Sequence, residues 1–423
     1  MSDLINRKYD LLIKGGHVID PANGIDEIMD VAVCGKTIAA VGKNIPEDTA
    51  GMVADAAGLY VTPGIIDIHA HVYPLLPTPE KSLVTVDPEA HLFLSGVTTA
   101  VDCGTTGIRD FVDFKQSVID QCPVRILSLI NIAQDGMVYM PSEQNIREFT
   151  PEICAEYVKA YPDVLVGIKT AHYWTGKPFD ELHPPWASVD AARKAGELAG
   201  VPVFYDFAPT GSERTYEEMV MSRMRPGDFH THVYAQHIPT LDENGKVFDY
   251  MWKARERGVL FDLGHGGGSF WYRNAVRCME QGFYPDTIST DLHMHNIYKA
   301  VFSMIYCMSK VLCMGMPLAE VIDRSTRLPA KYIGRPELGT LTAGACADIA
   351  VIEQLTGKFG YTDNGNTRID GDKRLQCVMT VRQGKVAYDL NGMTMPLWNE
   401  AGPEYWDRPC RVNGDMYRLE GAK

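Results

Sequence analysis

Val61-Thr62-Pro63-Gly64-Ile65-Ile66-Asp67-Ile68-His69-Ala70-His71-Val72 is the stretch around which the rest of the chain is arranged. It opens on a Pro-Gly pair, runs through β-branched residues and ends on two histidines one residue apart. Residues two apart on a strand share a face, so His69 and His71 project together. Two imidazoles on one face, at the end of a buried apolar strand, suit a divalent metal. An isolated His-x-His is more often a polar pair where a strand meets solvent. Here the rest of the chain reverses that balance.

Downstream, strand-like and helix-like segments alternate. The apolar runs are Thr98–Cys103, Val124–Ile130, Val164–Lys169, Val201–Asp206, Phe229–Val233, Val259–Gly264 and Thr287–Asp291. With the His-x-His strand they make eight. Helical patterns such as Val189–Leu198 and Glu217–Met221 fill the gaps. Parallel strands buried on both faces read as near-continuous apolar runs, as these do. Eight βα units predict a (β/α)8 TIM barrel, an α/β fold with its chemistry at the C-terminal ends of the strands. A doubly wound sheet is the alternative, and it accounts less well for the polar residues described next.

Those polar residues fall at the C-terminal ends of the runs. They are His69, His71, Lys169, Asp206, His232 and Asp291. Each alone has a plain explanation: Lys169 snorkelling to solvent, Asp291 capping the next helix. Six at corresponding points of separate units converge on one barrel mouth. Carboxylate with imidazole is a ligand mix for zinc, manganese or iron.

Upstream, residues 9–60 read as short strands broken by Gly, Pro and Asn, a β unit too small to stand alone. Its complement lies at the far end, in Gly339–Leu341, Ala347–Ile352 and Cys377–Val381. We therefore expect a small β-sandwich domain from both chain ends, residues 1–60 with 336–390, around a barrel of residues 61–335. Residues 391–423, with Trp398, Tyr405 and Trp406 among prolines and glycines, read as a tail over its own or a neighbouring subunit. That suggests a homo-oligomer.

The 423 residues suffice for one large domain and a smaller one. A formal net charge of -14 argues against a nucleic-acid surface. The first residues, Met1 to Lys8, carry no apolar h-region, so no secretion leader is expected. No apolar run is long enough to span a bilayer, so no membrane partner is expected. Ten cysteines are scattered without a Cys-x-x-Cys pair, which favours a reduced, cytoplasmic setting.

At this point the residues carry a family resemblance. The chain resembles a metal-dependent amidohydrolase of the dihydroorotase, urease and adenine deaminase type. It looks nearest to a bacterial branch labelled amidohydrolase or deacetylase. The likeness rests on Val61–His71, Val166–Lys169, Phe261–Phe270, Ile288–His293 and Gly339–Ile349, spread over nearly the whole chain. It implies that His69, His71 and Asp291 hold a first metal. It also implies that Lys169, carboxylated by CO2, bridges to a second metal held by His232 and a strand-five residue. Most relatives have histidine there, whereas this chain has Asp206. A carboxylate ligand adds negative charge and favours harder cations. Three arrangements stay open: Asp206 as ligand; Lys169 as an ammonium paired with Asp206, leaving one metal; or His230 or His237 completing the second site.

By this likeness the cofactor is two divalent metals, Zn with Mn or Fe as options. The metals would activate water and polarise a carbonyl, with Asp291 as catalytic proton shuttle. The expected reaction is hydrolysis of an amide C–N bond, in a cyclic amide or an N-acyl group of a small molecule. The alternatives are carboxylic-ester hydrolysis or deacetylation, or a non-catalytic scaffold with an eroded metal site. Candidates for substrate binding are His265 in its glycine-rich loop, His293 and His295 after Asp291, and Tyr173 and Trp174 after Lys169. Cys103 reads as a buried inert thiol. Arg214, Arg223, Arg225 and Arg273 are candidates for a substrate carboxylate, with solvated surface arginine as the plainer reading for most.

Overall fold

The computed structural model describes residues 7–73, 85–175 and 177–406. The chain begins with β1 (Tyr9–Asp20), β2 (Ile25–Cys34), β3 (Thr37–Gly42), β4 (Ala50–Asp55) and β5 (Tyr60–Pro63). After these come β6 (Ile65–Ala70), β7 (Val97–Cys103), β8 (Arg125–Asn131), β9 (Leu165–Thr170), β10 (Val203–Tyr205), β11 (Phe229–His230) and β12 (Leu260–Phe261). The last three are β13 (Ile349–Thr362), β14 (Arg368–Arg382) and β15 (Lys385–Asp389).

β6 to β12 form one parallel sheet in sequence order. The eighth position is filled without a ladder. The segment 287–292 bridges to Asp262 on one side and to Ala70 on the other, both parallel. Its carbonyls accept from Leu263, His265 and Gly266, and the Leu292 carbonyl accepts from His71. The result is a closed (β/α)8 barrel. Its interior holds Ile66, Ile68, Val101, Cys103, Leu127, Leu129, Val166, Phe204, Phe229 and Leu260. Ala330, Ile333 and Leu338 belong to the same cluster.

The second sheet has eight strands in the order β15-β14-β13-β5-β1-β2-β3, with β4 on β1. It joins both chain ends: β5 pairs antiparallel with β13, Val61 opposite Val351. One buried cluster takes Leu11, Ile13, Val31 and Val61 from the start of the chain, and Ile349, Val351, Met379 and Val381 from its end. This is the expected sandwich.

Three details differ from the sequence reading. The stretch 61–71, expected as one strand, is two, split at Gly64 between the sandwich and the barrel. A Cβ at Gly64 would run into the side chain of Thr98, so the crossing requires glycine. β11 and β12 are only two residues long, because the chain leaves the ladder where the polar residues begin. β13 and β14, expected as short strands, extend to 14 and 15 residues. The tip of this hairpin reaches the barrel mouth, where Asn364 Oδ1 accepts from Phe270 N at 2.8 Å and its Nδ2 donates to the Gly266 carbonyl at 3.2 Å.

Of the tail, residues 391–406 are described, and 407–423 lie outside the described residues. Met395, Leu397 and Trp398 are each about two-thirds exposed (68%, 64% and 68%). The nine cysteines among the described residues are all free. No described helix is long and apolar enough to cross a membrane.

Candidate metal centre

A strand that simply alternates would send Ile66, Ile68 and Ala70 inward. β6 does not: from Asp67 to Ala70 it advances three residues while β7 advances two, from Ala100 to Asp102. This bulge switches the parity. Ile66 and Ile68 fill the barrel, and His69 and His71 face the mouth above them.

The mouth is a cavity of about 390 Å³. Its lining includes His69, His71, Lys169, Asp206, His232 and Asp291, all six strand-end residues expected from the sequence. His69, His71 and Asp291 place one ligand atom each within 4.8 Å of one another, the only such trio among the described residues. Asp291 Oδ1 lies 3.4 Å from His69 Nε2 and 3.1 Å from His71 Nε2.

The hydrogen-bond partners fix the imidazole tautomers. Thr231 Oγ1 donates to Asp262 Oδ2 at 2.8 Å, so it accepts from His69 Nδ1–H at 2.9 Å. Likewise Thr105 Oγ1 donates to Asp102 Oδ2 at 2.8 Å and accepts from His71 Nδ1–H at 2.7 Å. His232 Nδ1–H donates to the Gly264 carbonyl at 2.5 Å. His69 and His71 thus carry their proton away from the cavity and turn the Nε2 lone pair into it, while His232, held the same way at Nδ1, has its pKa raised by Asp206 beside its Nε2. Metal-binding histidines are held in this way. The donor set fits a divalent metal.

Electrostatics agree. Burial, with Lys169 close by, pushes His69 down to about 4, so the ring is neutral at physiological pH. Burial alone would raise Asp291, but His69, His71 and His293 outweigh it and hold the carboxylate well below its usual range. Asp291 and His232 both sit at positive φ, 52° and 63°, which non-glycine residues occupy only under constraint. A Cβ at Gly266 would crowd Asp291 Oδ2 to 2.6 Å, so the glycine-rich loop packs directly on that carboxylate.

The opposite wall is built differently. Lys169 Nζ donates to Cys103 Sγ at 3.2 Å. Burial opposes its charge, but Cys103, Asp206 and Asp291 raise its pKa above the usual lysine value. Asp206 Oδ2 lies 3.6 Å from His232 Nε2 and 3.6 Å from His172 Nε2. Burial would raise Asp206, yet His232, His172 and Lys169 hold it well below the carboxylate range. Burial pushes the Cys103 thiol up to about 12, which leaves it protonated and unreactive.

The weaker candidates divide. His293 and His295 line the cavity. His293 Nδ1 accepts from His295 N at 3.2 Å, which leaves its Nε2–H as a donor. His265 is seated away from the cavity: its Nδ1 donates to the Gly266 carbonyl and its Nε2 accepts from the buried Lys310 at 2.7 Å. Positive φ at both Gly264 and Gly266 turns it off the mouth. Tyr173 also lies outside, its hydroxyl on the Pro184 carbonyl at 3.0 Å. Trp174 stacks on His183 and lines a separate groove. His230 packs against Tyr216, and His237 is exposed. Arg214 is buried against Phe207 and the Tyr173 carbonyl. Arg223 and Arg225 pair with nearby acids, and Arg273 lies over Trp271.

Sequence reasoning missed His172 and the groups that hold the rings. His172 lines the cavity at φ 52°. Burial opposes its charge, but a hydrogen bond to Glu143 and the nearby Asp206 bring it up to about 9.

Known proteins match this arrangement. Residues 272–387 match the Amidohydrolase family. A deacetylase of Enterococcus faecalis is 28% identical over 389 residues, which is 90% of this chain and 99% of that one. The crystal structure of an adenine deaminase superposes with a TM-score of 0.81 at 26% identity, over 90% of this chain and 100% of that one. A dihydroorotase structure shares the fold with a TM-score of 0.74 at 23% identity, over 90% and 99% of the two chains. The barrel, the sandwich and the convergent His69, His71 and Asp291 define a metal-dependent hydrolase. The chain is a member of the amidohydrolase superfamily.

Proposed function

We propose that this protein hydrolyses the amide C–N bond of a small molecule, a cyclic amide or an N-acyl compound. The observation that carries the reading is the trio of His69, His71 and Asp291, with both imidazole lone pairs locked toward Asp291. The deacetylase of Enterococcus faecalis, matched over 99% of its length, favours removal of an acyl group over opening of a cyclic amide. Ester hydrolysis is the in-class alternative.

In this reading His69, His71 and Asp291 hold one metal, while Lys169, carboxylated by CO2, His232 and Asp206 hold a second. Zinc is the first choice, and the carboxylate of Asp206 leaves room for manganese or iron. When bound, a divalent metal lowers the pKa of water and polarises the substrate carbonyl. The chain's own groups do the rest. Asp291, ionised beside the cavity, accepts a proton from the attacking water and delivers it to the leaving nitrogen. His293 offers its Nε2–H to the substrate carbonyl side. Met137 and Met140 supply apolar wall.

The same reading divides the chain into 1–60 with 336–390, 61–335 and 391–423, the sandwich sheet extending to Pro63 through β5. The exposed Met395, Leu397 and Trp398 support a homo-oligomer, and the free cysteines support a cytoplasmic location.

The test is hydrolysis of a panel of N-acetyl amino acids, cyclic amides and acetyl esters by zinc- or manganese-loaded protein. Chelation should abolish turnover, and Asp291→Asn, with metal content measured alongside, should lower turnover per bound metal by about 10²–10⁴-fold. Full turnover in Asp291→Asn would remove the proton shuttle. A chain that takes up no metal would be a scaffold.

A further inference from the structure

Three of the cavity imidazoles share one wiring: Nδ1–H held from behind, Nε2 aimed into the cavity. A fourth has it too. His172 Nδ1 lies 3.0 Å from Glu143 Oε2, and a carboxylate can only accept, so Nδ1 carries a proton, and Nε2, which must give up its own proton to bind a metal, faces Asp206. Glu143 is itself 2% exposed and is anchored by Asn131 Nδ2 at 2.9 Å. Carboxylate–imidazole pairs of this kind orient metal ligands.

We propose that His172 is a metal ligand, which joins Asp206, His232 and the carboxylated Lys169 at the second metal position. The inference rests on the hydrolase reading above and extends it to a residue outside the matched motifs. Asp206 Oδ2 is 3.6 Å from the Nε2 of each imidazole. A four-coordinate ion with ligand bonds of about 2.0–2.2 Å keeps its donors roughly 3.3–3.6 Å apart, so both pairs fit. The two imidazole nitrogens lie more than 4.8 Å from each other, so to share an ion the rings would have to close in around Asp206.

The backbone supports the same assignment. His172 sits at φ 52°, a left-handed conformation that is unfavourable for a non-glycine residue and persists only where its surroundings impose it. Gln144 imposes it from both sides, donating to the His172 carbonyl at 2.7 Å and accepting from Trp174 N at 3.0 Å. A strained turn, a side-chain clamp and a buried carboxylate together aim one ring at the cavity. The competing role is a plain ion pair that neutralises Asp206.

The experiment loads chelator-stripped protein with Co(II) and reads stoichiometry by elemental analysis and site geometry by visible absorption. Parent, His172→Asn and Glu143→Gln proteins are compared; asparagine tolerates the left-handed backbone but is too short to reach the metal. The parent should bind two cobalt per chain. His172→Asn should keep the first with unchanged affinity, which reports a sound fold, and lose the second by 100-fold or more. Glu143→Gln should weaken the second by about 10–100-fold. A His172→Asn protein with the parent's second-site affinity and spectrum overturns the assignment, and so does one cobalt in both proteins, which leaves a mononuclear hydrolase intact. No cobalt in the parent removes the hydrolase reading and this one with it.

Discussion

The barrel mouth and the sandwich both bury aspartates, and use them in opposite ways. In the sandwich, Asp30 accepts from Lys14 Nζ, Gly15 N and Ile45 N, each at 2.8 Å. Asp348 pairs with Arg125 and Arg382 and accepts from Gln383 N at 2.8 Å. Asp20 accepts from Leu341 N at 2.8 Å and Asn23 Nδ2 at 2.6 Å. Cations and backbone donors satisfy these carboxylates, and their work is to tie turns and chain ends together. At the mouth, Asp67, Asp102 and Asp262 have no lysine or arginine partner among the described residues. Asp102 and Asp262 gather hydroxyls instead, and those hydroxyls accept from His71 and His69. Asp102 and Asp262, buried without a cation, each reach an imidazole through a threonine. In the proposed centre such a carboxylate would tune a metal ligand, whereas Asp348, paired with two arginines, ties the sandwich to the barrel.

That contrast can be broken by experiment. The largest effect belongs to the ligands themselves: His71→Ala should lose the first metal outright, read as metal content after dialysis. Retention of full content would mean that the trio is not the site. Asp348→Asn comes next, because it strands two mostly buried arginines; about 3–5 kcal/mol of unfolding stability should go, with metal affinity unchanged in the folded protein. Denaturant titration alongside metal titration separates the two readouts. Asp102→Asn should show the converse, a 10–100-fold weaker first site. If Asp102→Asn lowered stability alone, the two classes of aspartate would collapse into one.

The smallest effect is pH-dependent. Burial raises Asp30, but Lys14 and the Gly15 and Ile45 amides outweigh it and lower its pKa below the usual value. A depressed folded-state pKa contributes stability that is present above the unfolded value near 3.9 and lost as pH falls through the folded one. Asp30→Asn should therefore cost about 1–2 kcal/mol at neutral pH, and the gap to the parent should close below roughly pH 4. A gap that stayed constant down to pH 3 would show that Asp30 acts through packing rather than charge.

Much of the mouth was legible because chemistry and strand period coincide there. His69, His71, Lys169, Asp206, His232 and Asp291 each end an apolar run, and the cavity gathers all six. What escaped notice lies where the period breaks. After Lys169 the chain passes through two left-handed residues, His172 and Trp174. Each reverses the backbone locally, so counting from Lys169 cannot say which side chain faces the cavity. His172 turned in, while Tyr173 and Trp174 turned away. His265 shares that difficulty between Gly264 and Gly266. The eighth strand was legible as an apolar run but not as a pair of bridges, since its neighbours' hydrogen bonds are tertiary. The threonines that orient the rings belong to no motif. Their role exists only once β7 and the residues after β11 are brought against β6.

The sandwich pairs residues 60–63 with 349–352, so its sheet spans nearly the whole chain. As the polypeptide leaves the ribosome, Leu11, Ile13, Val31 and Val61 emerge long before Ile349, Val351 and Val381, which cover them in the finished sheet. Domains usually fold in the order of synthesis, but this one must wait for the barrel to be made first. The nascent protein therefore carries an open apolar face and an unpaired edge at β5 through most of its translation. Limited proteolysis of chains stalled before residue 349 would read that exposure directly.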